Sequence, residues 1–310
     1  MVDKLIATRE SFGKALASLK NEKIVVLDAD LSSSTKVDLF KEKHPERFIE
    51  VGIAEADMIG TAAGLATCGK IPFAASFAAF STGRVYDQIR SSIAYPKLNV
   101  KIIGSHAGIT VGEDGATHQM LEDMALMRVL PNMTVISPSD DTSTKALVKE
   151  ITKYEGPVYL RLSRAKTPVI YTDDTKFEIG KGIQIGNGKD GTIFATGDLV
   201  HEAIKVQEMM LEKSVNLRVV DMYSIKPIDE DLIVKCAKET GLLFSLEDHS
   251  VIGGLGSAIS DVLTEKYPKK LVKFGMQDEF GRSGRAEALL RYYGLDSISI
   301  VKELSKIFKV

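Results

Sequence analysis

A chain of 310 residues, 44% hydrophobic and 26% charged, has enough length for about two separately cored domains. Its 40 basic and 42 acidic side chains leave a formal charge of -2, so there is no cationic footprint for nucleic acid or an anionic membrane. No apolar run spans a bilayer, the start MVDKLIATRESF carries no signal-peptide pattern, and Cys68 and Cys236 form no CxxC pair; a reducing cytoplasm is the expected compartment.

In chain order, segments 24–27, 71–75, 100–103, 133–136 and 158–162 are short and apolar on both parities, the pattern of central strands in a parallel sheet. Amphipathic stretches at 10–19, 56–67, 84–94 and 142–154 predict helices between them, so this part reads as an α/β layer structure. Residues 173–190, DDTKFEIGKGIQIGNGKD, are polar and rich in Gly and Lys, and predict a linker with room for a short hairpin. A second series follows: strand 192–195, helix 199–211, strand 218–222, helix 231–238, strand 242–246, a helical pattern opened by Gly253–Gly256, strand 271–274 and two closing helices. Asp296 or Ser297 caps the last of these. The expectation is two α/β domains, each with a mostly parallel sheet flanked by helices, over 1–172 and 190–310, with a linker at 173–189.

Ligands of open α/β sheets bind beyond the carboxyl ends of the strands, so segments that follow strands carry the candidates. In EVGIAEADM, Glu55 opens a helix. Alone it reads as a first-turn glutamate favoured by the helix dipole; the functional reading is a partly buried carboxylate that shares a proton with a ligand. In ASFAAFSTGR, Phe77 and Phe80 fall at i, i+3, a spacing as suited to core packing as to a platform for a planar ring. The stretch GSHAGITVGEDGATHQ, 104–119, is too polar for core and sits between a buried strand and a helix. Its His106, Asp114 and His118 can move protons and recognise hydroxyls near neutral pH, but lack the helical HxxxH spacing of a metal site. Arg9 and Arg164 read singly as surface cations; together with the Ser32–Ser34 run they suit a phosphate. In EDHSVIGGLG the glycines open a helix, read either as a tight helix–strand contact or as a phosphate cradle.

Taken together, GIAEADM, SFAAFSTGRVYDQIR, VGEDGATHQ, LPNMTVISPSD, LSR and EDHSVIGGLG resemble the transketolase family of thiamine diphosphate enzymes over nearly the whole chain. The family's diphosphate-binding domain, with its GDG motif and later Asn, has no counterpart here. The resemblance therefore implies the C-terminal subunit of a split transketolase, moving a two-carbon ketol unit from a ketose phosphate to an aldose phosphate. It implies an N-terminal partner subunit that holds the diphosphate and its Mg2+ or Ca2+, in a two-fold heteromeric assembly. It also implies no metal ligand in this chain. Carried over residue by residue, Glu55 faces the ring nitrogen of the aminopyrimidine, with His118 near the amino group. Phe80 stacks on the ring beside Phe77, and Asp30, Leu31 and Ile53 line the cofactor. Arg9, Ser34, His106 and Arg164 grip the sugar phosphate, and Asp114 reads a substrate hydroxyl. Gly83 stands where the family often has a further aromatic. Rivals are a deoxyxylulose-phosphate synthase fragment, a 2-oxo acid dehydrogenase β subunit, and a non-catalytic α/β regulatory subunit. The Arg161-Leu162-Ser163-Arg164 stretch weighs against the first, the GEDGATHQ run against the second, and the presence of Glu55, Asp114 and His118 against the third.

Overall fold

The apolar runs become strands buried on both faces, and the amphipathic stretches between them become helices that cover the two sheets. The computed structural model describes residues 5–310; the first four residues of the first domain, as read from the sequence, lie outside the described residues. A short strand β1 (Leu5–Ala7) precedes the first sheet, which contains β2 (Ile24–Asp28), β3 (Phe48–Glu50), β4 (Ile71–Phe77), β5 (Lys101–Ser105), β6 (Thr134–Ile136) and β7 (Val158–Arg161). These six pair parallel in the spatial order β3-β2-β4-β5-β7-β6. The chain leaves β2 towards β3 and then returns to the other side of β2 as β4. The crevice beyond the carboxyl ends of β2 and β4 is therefore the topological switch point. The strand β8 (Lys166–Pro168) pairs antiparallel with β1 and brings the start of the chain beside the end of the first sheet.

The second sheet comprises β9 (Ile183–Ile185), β10 (Gly191–Ala195), β11 (Leu217–Asp221), β13 (Leu242–Ser250) and β14 (Leu271–Met276), in the order β14-β13-β10-β11-β9, with only β9 antiparallel. Its switch point lies beyond β10 and β13. Between β11 and β13, strand β12 (Ser224–Lys226) crosses over and pairs antiparallel with β6, extending the first sheet and covering its edge. One apolar cluster holds Met133 and Val135 of the first sheet together with Ile225, Ile233 and Leu255 of the second half, so the two halves share a core.

The structure departs from the sequence-based expectation at several points. The stretch read as a linker with a hairpin contains β9, an edge strand of the second sheet, and Phe177, which is buried edge-on against Tyr223. Residues 84–94 form a short helix (Tyr86–Gln88) continuing into a π-turn (Ile89–Ala94), preceded by another π-turn at Ala79–Gly83. Strand β13 runs on to Ser250, so Asp248 and His249 lie in the strand and not after it. Asp296 caps the final helix (Ser297–Phe308), its carboxylate accepting from the Ser299 amide at 3.0 Å.

Candidate active site

Loops from β2, β3, β4, β5 and β7 converge at the carboxyl edge of the first sheet. Glu55, the first residue of the helix Glu55–Thr67, is only 4% exposed. Its Oε1 accepts a hydrogen bond of 2.7 Å from Arg84 Nη1, and the Arg84 guanidinium lies 4.2 Å over the Phe80 ring. Phe80 in turn is nearly parallel to Phe77, with centroids 5.9 Å apart, and Phe77 stacks on His106 at 3.9 Å. The His118 ring stands edge-on to both phenylalanines, 5.3 Å from Phe80 and 6.3 Å from Phe77. The i, i+3 pair is stacked ring on ring, because the chain turns at Ala79–Gly83 and brings Phe80 back alongside Phe77. At Gly83, where the resemblance leads one to expect a further aromatic, a Cβ would stand 3.3 Å from the Met120 methyl.

His106 adopts φ +56°, a left-handed conformation rarely taken by a side-chain-bearing residue. Its Nε2 is 3.1 Å from Arg9 Nη1, which can only donate, so Nε2 accepts and Nδ1 carries the proton. That Nδ1 lies 2.9 Å from Ser105 Oγ, whose own proton points to the Ser76 carbonyl at 3.4 Å. Burial, and then the Arg9 and Arg164 charges, push the imidazole down to about 3, so it is neutral at physiological pH. Arg9 also donates to the Ser34 carbonyl at 2.8 Å. Burial and the nearby Arg164 lower its affinity for its proton, and its buried Nε has no hydrogen-bond partner among the described residues. A half-buried guanidinium with a spare donor is a ready anion site. Arg164, just after β7, donates to the Val111 carbonyl at 2.7 Å and to Asp114 Oδ2 at 3.2 Å, tying the middle of the glycine-rich loop to the end of that strand.

The loops after β2 and β3 are tied by carboxylates that the sequence did not single out. Glu50 Oε1 accepts from the amides of Asp30 and Gly52, each at 2.9 Å, and Asp28 Oδ2 accepts from the Leu31 amide at 2.8 Å. Asp28 is fully buried; burial, with Glu50 nearby, raises its carboxyl to about 7. Asp30 is exposed with φ +59°, Leu31 is half-buried, and Ile53 is 76% exposed beside Glu55, an apolar side chain facing outward at the rim. All twelve residues singled out in the sequence therefore emerge at one edge of one sheet. Arg84, Asp28 and Glu50 were missed. For Arg84 the signal was available: it follows Phe80 by four residues on the same helical turn, the spacing at which a cation covers a ring.

The corresponding edge of the second sheet is closed. Glu247 accepts from the amides of Leu255 and Gly256, at 2.6 and 2.8 Å, and so occupies the helix N-terminus that VIGGLG could have offered to a phosphate. Burial lifts the Glu247 carboxyl to about 7. Among the described residues, no three or more His, Cys, Asp and Glu side chains converge as a metal site, and no helix is long and apolar enough to cross a membrane.

A thiamine diphosphate ring can be tested against this site from the chain alone. The face of Phe80 already holds a flat, N–H-bearing group hydrogen-bonded to Glu55, in the form of the Arg84 guanidinium. Residues that accommodate that group have the stacking surface and acceptor that an aminopyrimidine needs, so the cofactor fits.

Comparison with known proteins gives two matched families. The transketolase pyrimidine-binding domain matches residues 4–169 and the transketolase C-terminal domain matches residues 180–300. A Methanocaldococcus jannaschii protein described as a transketolase C-terminal section is 50% identical over 97% of this chain and 96% of its own. The 6-deoxy-6-sulfo-D-fructose transketolase subunit of a Clostridium species is 42% identical over 93% of this chain and 89% of its own length. A solved structure described as a split gene transketolase, inactive beta4 tetramer, is 51% identical, with a TM-score of 0.91 over 97% of this chain and 98% of that one. Human transketolase is 37% identical over 96% of this chain but only 48% of its own length, so the chain spans about half of such single-chain relatives.

Proposed function

From a chain that belongs to the transketolase family, as a subunit of a split enzyme, we propose a site that transfers a two-carbon ketol unit from a ketose phosphate to an aldose phosphate. It does so with thiamine diphosphate, and only beside a partner subunit that holds the diphosphate and its Mg2+ or Ca2+. The single observation that carries this reading is the buried Glu55 carboxylate set against the Phe80 ring face, both engaged by one planar cation.

When bound, the cofactor supplies a nucleophilic thiazolium carbon that takes up the two-carbon unit. The chain's own residues do the rest. Glu55 holds a proton at its carboxyl oxygen towards a pyrimidine nitrogen, and Phe80 and Phe77 supply the stacking face. Arg84 swings off Phe80 to admit the ring, which also frees Glu55 from its cation. His118 serves the amino group from the edge of the platform, while Asp30, Leu31 and Ile53 line the ring. Arg9, with its spare donor, takes the anionic end of the sugar together with Ser34, His106 and Arg164. Neutral His106, with Nε2 on Arg9 and Nδ1 on Ser105, orients Arg9 there without adding charge, and Asp114 reads a sugar hydroxyl. The names of two relatives, a sulfofructose transketolase subunit and an apulose-4-phosphate transketolase subunit, fit an anionic sugar end of this kind. Apolar rings at the reacting centre and cations at the mouth separate water exclusion from substrate capture. We assign the chain to the cytoplasm, in a two-fold assembly of both subunits; both its cysteines are free.

The test is reconstitution with the N-terminal subunit, thiamine diphosphate and Mg2+, assayed with a ketose phosphate donor and an aldose phosphate acceptor. Ketol transfer by the pair, and none by the single chain, is expected. Robust transfer by the single chain, or none by a stable complex, overturns the reading.

A further inference from the structure

The Glu247-Asp248-His249 run is left without a role by the reaction, yet its middle residue is the most heavily used acceptor between the two halves. Asp248 lies at the switch point of the second sheet, 1% exposed. Its Oδ1 accepts from the Ile109 amide at 2.8 Å, and its Oδ2 accepts from the Thr110 amide at 3.2 Å and lies 2.9 Å from Thr110 Oγ1. Asp198, from the turn after β10, places its Oδ2 2.9 Å from the same hydroxyl. Gly108 lets the backbone come this close: its φ is +80°, and a Cβ there would stand 2.1 Å from Asp248 Oδ2.

What is gripped is the root of the glycine-rich loop. From Ile109 onward each turn is hydrogen-bonded to the one before: Gly112 N to Ile109 O at 3.1 Å, Gly115 N to Gly112 O at 3.3 Å, and His118 N to Gly115 O at 3.0 Å. The Gln119 amide group braces the same turns, donating to the carbonyls of Ile109, Gly112 and Arg282. Three links thus separate the clamped residue from His118, and Val111, inside the clamp, is the carbonyl that holds Arg164.

We propose that Asp248, acting with Asp198 through Thr110, is a positioning residue by which the second domain sets the height and tilt of the loop that presents Asp114 and His118 to the site. The inference rests on the transketolase reading for what the loop does, but not for how it is held. A proton count adds a property. The Thr110 hydroxyl has one proton and two carboxylate oxygens at 2.9 Å, so both contacts are bonds only while one carboxyl brings its own proton. Burial, and then the Asp198 charge, push Asp248 up to about 6, opposed by Arg161, whose Nη2 donates to the Asp248 carbonyl. The other charged or titratable groups packed nearby are Asp123, paired with Arg161, and Glu247 and His249 on the same strand; the Ile109–Val111 turn brings none. Because the clamped state holds the proton more tightly than an open one, the clamp is strongest at low pH and loosens as pH rises through about 6.

Hydrogen exchange of the full chain, expressed as protection factors, tests this without substrate or cofactor. Thr110→Val should lower protection of amides 109–119 about tenfold, the worth of a buried acceptor left unmatched. Protection in β2 and β5 should stay unchanged, and Thr110→Ser should restore the loop. Asp248→Ala should act in the same direction; should it fail to fold, Thr110→Val carries the test. In Asp198→Asn the amide supplies a fixed donor to Thr110, so the fall in loop protection between pH 5 and pH 8 should vanish. Unchanged loop protection in Thr110→Val, or an equal loss in the central strands, overturns the proposal, as does a pH dependence that survives Asp198→Asn. In the reconstituted pair Thr110→Val should lower kcat/KM about tenfold, mainly through KM; an unaltered kcat/KM with a loosened loop also overturns it. An inactive pair with a normally clamped loop counts against the transketolase reading alone.

Discussion

The two sheets have the same doubly wound logic and opposite carboxyl edges. The first edge is aromatic and cationic: Arg9 and Arg164 are its charges, and neutral His106, bonded to Arg9, stacks on Phe77. The second is closed and acidic: Asp198, Asp221 and Asp248 end or follow its strands, all buried and engaged by donors from the first domain. A switch-point crevice is a place where side chains and loops of two directions meet, and nothing in the topology says that a small molecule must fill it. In this chain the first crevice is lined by rings and arginines, and the second receives the root of the glycine-rich loop.

That contrast can be broken, beginning with the largest effect. Glu55→Gln in the reconstituted pair should lower turnover by about 10²–10⁴-fold, the usual range for a lost proton-transfer group, with unfolding little changed. Near-parental turnover would leave the first edge without its central acid. Gly108→Ala should destabilise the chain by about 2–5 kcal/mol in denaturant unfolding, since it adds left-handed strain and forces Cβ into Asp248; a shift below about 0.5 kcal/mol would mean that the socket is not tightly filled. Arg9→Gln should raise KM for a sugar phosphate by roughly 10–100-fold while leaving kcat within a few-fold, as expected for a charged contact to the substrate's anionic end. An equal fall in kcat would move Arg9 from binding to the chemical step.

The smallest effect sharpens the acidic side. Burial raises Asp221 to about 7, while its Oδ2 accepts from Ser139 at 2.6 Å and Tyr171 at 2.9 Å. A carboxyl raised on folding lends stability that is fully present below about pH 4 and is lost as pH rises towards 7. Asp221→Asn mimics the neutral form, so it should match the parent near pH 4 and exceed it in urea midpoint at pH 8. The buried histidines, shifted the opposite way, are common to both proteins and cancel in the difference. Parallel stability curves would show that Asp221 is ionised with no penalty.

Much of this was legible in one dimension. The central parallel strands carry apolar runs on both parities, so their order of appearance could be read directly, as could the resting place of Glu55, Phe77, His106 and Arg164 at or just after strand ends. The edge strand inside residues 173–190 was not legible, because three half-buried residues among glycines and lysines carry no period. Nor were the π-turns that fold Phe80 back beside Phe77, because their residues look helical and only the packing chooses the wider turn.

By itself, then, the sequence determined most of the central strands and the helices between them and which family the chain belongs to, since those follow from local periodicity and from residue types at short spacing. Tertiary structure alone decided that Arg84 would reach Glu55, 29 positions away, and that Thr110 would be held by carboxylates 88 and 138 positions away. The reason is physical: a buried hydrogen bond is specified by two surfaces that meet only after folding, and neither partner's neighbours in the chain record the other's approach.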